Sequence, residues 1–544
     1  MMQPTILANF LAISHTHAEQ PFLHQPVNSQ WQTFSFSDVE VQARTIASAL
    51  LDQGFVAGDR IGILSQNCAQ WFIADLAIMM AGMVSVPIYA TAGAKTISYV
   101  IKHSEMKAIF VGKLGPTKAA EQGIPDDVLT IDFPYVTMQT KVQWQAWLEK
   151  YSPLEELHQA HEDDCMTIVY TSGTTGDPKG VVLTHKNINS AAVSAVETIT
   201  VYEHDRCMSY LPLAHITERS LIEGTALITG MQIYFVEGLD TFVDNLQHAQ
   251  PTLFLSVPRL WMKFHAKIIT KLPQKKLNLL LSLPIVGRLV AKKIRKQLGL
   301  AQTTRFASGS APIPVTLLQW YQSLGINIME GWGMSETSGL SCGNIPFNGE
   351  RLGSIGVPLS CVEMKISDEK EILIKGDAVF KEYYLNPEAT KESFVDGWFK
   401  TGDCGDVDVD GVFKIVGRIK EQFKTSKGKY VVPVPIEKQL CINEDIEQVC
   451  VMGAGMKQPI ALVVLAEGIN AKSDDVQQEL LKTFAKVNKG LESHQRLDYL
   501  YVCKKAWTVD NELLTPTLKL KRNSIESHFS PQLPDAPEKR IIFE

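Results

Sequence analysis

The 544-residue sequence has no Cys-x-x-Cys pair; its nine cysteines, at 68, 165, 207, 342, 361, 404, 441, 450 and 503, are scattered without an even framework. That pattern argues against a disulfide scaffold and against structural zinc, and it suits a reducing cytosol. An unbroken apolar run of membrane-spanning length is also missing. The stretch 76–94 is uncharged, yet Gly82 and Pro87 interrupt it and Ser85, Tyr89 and Thr91 dilute it. It reads as a buried helix over 71–80 followed by a buried strand over 84–89. The start lacks a basic segment and soon meets His15, His17 and Glu19, so a secretory signal is not expected and the expected location is cytoplasmic. Repeats and low-complexity tracts are absent. At 45% apolar and 20% charged residues, wholesale disorder, collagen-like and coiled-coil classes drop out.

One region has no acid at all. Between Arg259 and Arg305 there are 12 Lys and Arg and no Asp or Glu, although the net charge is only −7 and the rest of the chain carries 40 basic against 59 acidic residues. Lys263, Lys267 and Lys271 recur at helical spacing, and the apolar segment 277–283 leads into Arg288, Lys292, Lys293, Arg295 and Lys296. Three readings stand: peripheral contact through 259–305 with an anionic membrane on its inner face, a solvated helical hairpin, or guidance of polyanionic ligands. Nucleic acid is not expected as a partner.

At about 150 residues per domain, the length argues for more than one folding unit. Buried strands are expected at 60–64, 108–111, 167–170 and 252–257, alternating with helical patterns, which means α/β layers with mostly parallel sheets. From Ser354 the strands shorten (362–366, 371–375, 410–416), suggesting a small antiparallel β-subdomain. A mixed region follows, with a helix near 474–488 and a strand near 500–503. The expected fold is thus α/β, with a large N-terminal domain over 1–417 and a smaller α+β C-terminal domain over 418–544.

The most informative stretch is Tyr170-Thr-Ser-Gly-Thr-Thr-Gly-Asp-Pro-Lys-Gly180. Glycines let several backbone N–H groups face one anion, hydroxyls add donors, and Lys179 adds a point charge, which suits polyphosphate. Lys179 is followed by Gly180 rather than Ser or Thr, so this is not the loop of P-loop kinases and GTPases.

The loop resembles the signature of the adenylate-forming superfamily, which includes acyl- and aryl-CoA synthetases, luciferases and peptide-synthetase adenylation domains. Four further segments resemble the family's motifs in the family's order: Gly331-Trp-Gly-Met-Ser-Glu-Thr337, Trp398-Phe-Lys-Thr-Gly-Asp403, Gly417-Arg-Ile-Lys-Glu421 and Pro516-Thr-Leu-Lys-Leu-Lys-Arg522. The segments 211–219, with its Pro-x-x-His-x-x-Glu-Arg pattern, and 421–433 resemble the long-chain fatty acyl-CoA synthetase branch. Two departures are Leu518, where many relatives carry glycine, and Lys381-Glu382 before Tyr383-Tyr384, to which the sequence assigns no role.

The resemblance implies ATP, Mg²⁺ and coenzyme A as cofactors and a fatty acid as substrate. It implies that Thr171, Ser172, Gly173, Thr174, Thr175 and Lys179 hold the departing phosphates, and that Thr171 and Glu336 hold the metal. Gly309, Ser310, Ala311, Gly331, Trp332 and Gly333 form the adenine slot, with Thr337 beside them; Trp332 reads equally as an ordinary core aromatic. Asp403 takes the ribose hydroxyls and Arg418 approaches the same sugar. His215 reads alone as a core histidine, and the motif gives it an acyl-carboxylate or gating role. Lys519 is the catalytic lysine by the family's Lys-apolar-x-Arg spacing, with Lys521 second. Lys420 is the hinge about which the C-terminal domain swings between half-reactions. Two alternatives remain open: an acyl-AMP ligase that passes the acyl group to a carrier protein, and a non-catalytic nucleotide-binding membrane scaffold.

Overall fold

A computed structural model describes residues 5–135, 138–171, 177–509, 511–515, 519–534, 537 and 539–544, and of Lys420 only the backbone. The expected α/β architecture is present, in two compact units. One takes in Met1–Thr171, Pro178–Met364 and Ile374–Phe399; the other holds Lys365–Leu373 and Lys400–Glu544.

The larger unit is built on two sheets. A seven-stranded sheet runs in the order Glu382–Tyr383, Lys179–Thr184, Cys165–Thr171, Val84–Ile88, Arg60–Leu64, Ala108–Val111, Leu129–Asp132. The last five are mutually parallel, and Lys179–Thr184 is antiparallel to both of its neighbours. A nine-stranded sheet has a parallel centre, Ile328–Trp332, Arg305–Ser308, Leu253–Ser256, Arg206–Ser209, Gln232–Phe235, Pro21–Val27, with antiparallel strands at both ends. Parallel strands need crossover helices that cover both faces, hence the largely apolar strand sequences.

The uncharged stretch behaves as expected: Ala69–Met80 is a helix buried along its whole length, and Val84–Ile88 is a buried strand. The helix's one carboxylate, Asp75, just ahead of the uncharged stretch, is matched by the equally buried Arg219. The helix His185–Ile199 starts directly after a strand because Thr184 and Asn187 satisfy each other's backbone donors in a capping box.

The strands expected at 362–366, 371–375 and 410–416 all belong to one small sheet, while two further short strands join the large sheets. Val357–Pro358 closes the nine-stranded sheet and Glu382–Tyr383 edges the seven-stranded one, while Glu363–Ile366, Glu371–Lys375, Phe394–Val395, Trp398–Val407 and Phe413–Arg418 make a five-stranded sheet. Two-residue strands carry no alternation from which a sheet partner can be read.

In the smaller unit, strands Ile446–Met452, Ile460–Leu465, Leu500–Cys503 and Ile541–Phe543 form a mixed sheet. Asp474–Gly490 is the crossover helix to the third strand, and separate apolar clusters lie around Leu480 and Leu500 and around Trp507 and Phe529. All nine cysteines are free thiols; seven are buried and two partly so. No helix among the described residues is long and apolar enough to cross a membrane.

Candidate functional site

Strands Cys165–Thr171 and Lys179–Thr184 form a hairpin in which Thr171 stands opposite Lys179, on either side of the hydroxyl-rich loop. Ser172, Gly173, Thr174 and Thr175 lie outside the described residues. The Lys179 ammonium sits 4.7 Å from the centre of the Tyr383 ring, and Tyr383 Oη donates a 2.8 Å hydrogen bond to Glu336 Oε1. Tyr383 therefore joins the loop lysine to the candidate metal carboxylate by two electrostatic contacts. Burial, and after it the Glu336 charge, pushes the phenol above its ordinary range, so it remains a donor. The segment without a role in the sequence places it: Glu382 and Tyr383 pair with Val182 and Val181, so the ring lies beside the hairpin.

Glu336 lies in the single 3-10 turn Ser335–Thr337. A carboxylate and the Thr171 hydroxyl are hard oxygen donors, the set Mg²⁺ accepts when phosphate and water fill most of its shell. The described residues hold no cluster of three or more His, Cys, Asp or Glu that could hold a metal ion. The residues fit an ion that arrives with a polyphosphate. Thr337 differs from the others: it is buried, and its hydroxyl is spent inside the turn on Met334 and Ser341.

The two glycine segments do meet. Arg305–Ser308 and Ile328–Trp332 are adjacent parallel strands, and a Cβ on Gly309 would lie 3.4 Å from the Gly331 carbonyl oxygen. At Gly333 a Cβ would come 1.5 Å from the Gly339 carbonyl oxygen, so only glycine fits that turn. Ser310 is exposed with φ of 65°. Both segments stand at carboxyl ends of parallel strands, where open α/β sheets bind ligands. Beside them lies a cavity of about 50 Å³ lined by Thr217, Leu221, Ile222, Ser310, Trp332 and Leu340 among others. Trp332 is half-buried, lines this cavity and packs against the main core.

Thr217 of the Pro-x-x-His-x-x-Glu-Arg segment, with Leu221 and Ile222 just after it, supplies another part of the lining. His215 caps a short helical turn, its Nδ1 accepting from the Thr217 N–H at 3.2 Å. The turn continues as a π-helix over Arg219–Gly224, a rare form that recurs at functional sites. Asn67 holds the approach to His215 by donating to the Leu211 carbonyl and accepting from the Leu213 N–H. Beneath it Glu218 accepts from Ser209 Oγ at 2.7 Å and from the Tyr210 N–H at 3.0 Å. Burial pushes the Glu218 carboxyl up to about 8. Arg219 grips Asp75 at 2.6 and 2.7 Å and Ser85 Oγ at 2.8 Å. Asn67, Thr217, Leu221 and Ile222 had no assigned role in the sequence; only the motif around His215 signalled this region.

In the smaller unit Asp403 and Arg418 face each other across paired strands, with Arg418 Nε 2.7 Å from Asp403 Oδ1. Asp403 is buried and the Arg418 side chain is half exposed, which holds the carboxylate in place. Lys420 falls in the single 3-10 turn Ile419–Glu421 that follows this strand, with its side chain outside the described residues. The turn is anchored by Arg522, 3.2 Å from Glu421 and paired with Glu437 at 2.6 Å. Although burial opposes it, the bonded Glu437 raises the Arg522 guanidinium above its usual range. Lys519 is exposed, and backbone bonds to Thr515 fix its position; Leu518 lies outside the described residues.

The AMP-binding enzyme family matches residues 12–384, and its C-terminal domain matches residues 420–537. The chain is 31% identical to fatty acyl-CoA synthetase A of Dictyostelium discoideum, over 96% of this chain and 87% of that protein. It is 29% identical to human long-chain-fatty-acid–CoA ligase 1, over 93% and 82% of the two chains. Among solved structures, the adenylation domain of a Mycobacterium chelonae carboxylate reductase has a TM-score of 0.82 at 20% identity, covering 98% of this chain and 91% of that one. O-succinylbenzoate coenzyme A synthetase of Bacillus subtilis, in complex with AMP, has a TM-score of 0.76 at 24% identity, with 96% and 98% covered. With two ordered family matches spanning most of the sequence, the chain belongs to the AMP-binding, adenylate-forming enzymes.

Proposed function

We propose that this protein is an ATP-dependent ligase that joins a long-chain fatty acid to coenzyme A through an acyl-adenylate. The observation that carries the reading is the apolar lining of the cavity beside the Gly309 and Gly331 turns, to which Leu221, Ile222, Leu253, Leu255 and Leu340 contribute. The relatives named as a fatty acyl-CoA synthetase and as a long-chain-fatty-acid–CoA ligase support the substrate class.

A carboxylate is a poor acyl donor because oxide would have to leave. In the first step a carboxylate oxygen attacks the α-phosphorus of ATP, and the bond to the β-phosphate oxygen breaks to release pyrophosphate. In the second, the CoA thiol loses its proton, sulfur attacks the acyl carbon, and AMP leaves. Positioning and charge neutralisation do most of this work.

In this reading Thr171, the 172–175 loop and Lys179 grip the leaving pyrophosphate. Glu336 and Thr171 hold Mg²⁺, which when bound offsets phosphate charge. Tyr383 keeps the Glu336 carboxylate and the Lys179 ammonium in register. Gly309 to Ala311 and Gly331 to Gly333 receive adenine, Asp403 and Arg418 the ribose, and His215 orients the acyl carboxylate. Lys519 stabilises the charge that develops between carboxylate and α-phosphate. Residues 1–417 act as the adenylation domain and 418–544 as the mobile domain, with Lys420 as hinge. Long-chain acids partition into bilayers, so contact of 259–305 with an anionic membrane belongs to the same reading.

A panel of fatty acids assayed for CoA-dependent AMP formation tests the proposal. Long-chain acids should give acyl-CoA and AMP with CoA alone. AMP release that requires a carrier protein would reassign the acceptor, and turnover confined to short or aromatic acids would reassign the substrate.

A further inference from the structure

We infer that the corner between helices Gln274–Leu281 and Pro284–Gln297 is a lipid-docking tip, whose aliphatic side chains enter an anionic bilayer while the lysines around it engage the headgroups. This names the surface for the membrane contact in the proposed function; its test does not depend on catalysis.

The geometry starts with two prolines. Pro273 and Pro284 stand at the starts of the two helices, so the chain turns sharply at Ser282 and Leu283. The turn is tight because Gly287 lies against the end of the preceding helix: a Cβ there would be 2.7 Å from the Leu281 carbonyl oxygen. The second helix buries Gly287, Ala291 and Ile294, which share a face at helical spacing. Its other face is left to solvent. At the corner Leu279, Leu283, Ile285 and Leu289 are 66%, 48%, 77% and 63% exposed.

Large aliphatics are scattered singly on ordinary surfaces, and a contiguous group rimmed by charge marks an interaction surface. The rim here is of one sign. Lys275, Lys276, Arg288, Lys292, Lys293 and Lys296 are exposed, and no ion pair among the described residues involves them. On the helix Pro258–Lys271, which buries Trp261 and Phe264, Lys263, Lys267 and Lys271 are exposed as well.

The charge decides between occupants. A second copy would bring the same acid-free segment, and like charges facing each other repel. A polyanionic small molecule would need the lysines but gains nothing from four exposed aliphatics. A bilayer with anionic headgroups satisfies both, since aliphatic insertion and basic attraction add in interfacial binding.

Co-sedimentation of the full chain with phosphatidylglycerol/phosphatidylcholine vesicles tests this. Wild type should bind these vesicles at low salt, bind pure phosphatidylcholine weakly, and lose most binding as salt shortens the screening length to a few Å. Each removed charge should lower the partition coefficient about fivefold, so Lys292→Gln/Lys293→Gln/Lys296→Gln should lose about a hundredfold. Ile285→Ser/Leu289→Ser should weaken binding even at low salt. Both variants should match wild type in thermal melting and in activity on a soluble acid without vesicles. Wild type failing to sediment, or variants sedimenting like wild type, overturns the inference. So does a dimer in sedimentation velocity that Ile285→Ser/Leu289→Ser dissolves, because the tip would then be a self-association surface. A catalytic panel that failed while vesicle binding behaved as described would overturn the ligase reading alone.

Discussion

At the residue scale, Tyr383 separates charge from packing. Tyr383→Phe keeps a ring beneath Lys179 and removes only the bond to Glu336. A hydrogen bond to a charged group contributes roughly 1.5–3 kcal/mol, so acid-dependent ATP–pyrophosphate exchange should fall about ten- to hundredfold with little change in stability. Unchanged exchange would leave Tyr383 a packing residue. For Lys519→Ala, loss of one preorganised donor should slow acyl-AMP formation by about 10² to 10³, while thioester formation from supplied acyl-AMP survives; equal loss in both half-reactions would remove its assignment. Glu218 makes a prediction about pH. Its folded carboxyl titrates near about 8, against an ordinary value of 4.5, so between these the folded state holds a proton that the unfolded state has released. Its contribution therefore falls as pH rises from about 4.5 to about 8. Glu218→Gln should flatten the fall seen in urea unfolding across that range, and an identical slope in both proteins would mean Glu218 ionises normally when folded. Much of the proposed site was legible in the sequence, because the loop, Glu336, Asp403 and Lys519 each sit in a contiguous motif. Tyr383 was not, since it meets Glu336 from 47 residues away through a strand too short to show a pattern.

At the element scale, the strands at Arg60–Leu64, Ala108–Val111 and Glu371–Lys375 fall where the apolar runs begin and end. Charged and turn residues stand at or beyond the ends of those runs, because the buried middle of such a strand tolerates neither. The π-helix Arg219–Gly224 was hidden for the opposite reason. Its hydrogen-bond shift leaves no mark in hydrophobic spacing, and Arg219 inside a buried segment makes sense only with Asp75 from another helix. The 3-10 turn Ile419–Glu421 carries a prediction. Lys420→Pro fixes φ within that turn, so acyl-AMP should still form while transfer to CoA slows sharply in single-turnover assays. Undiminished overall turnover would move the hinge elsewhere.

At the scale of the whole molecule, the smaller unit has apolar clusters of its own, around Leu480 and Leu500 and around Trp507 and Phe529. Units with their own cores depart from two-state unfolding, and scanning calorimetry should resolve two transitions; one transition with matching calorimetric and van't Hoff enthalpies would rule that out. The nine thiols have a different consequence. Burial raises every one of them, Cys441 to about 11 and Cys165 and Cys503 to about 12, so at neutral pH almost none is the thiolate that attacks maleimide. A cysteine placed on an exposed surface of each unit would accept a fluorophore while the native nine stay silent. Energy transfer between two such dyes could then time the motion assigned to Lys420 in the otherwise unaltered protein, with no need to strip out its own sulfur first.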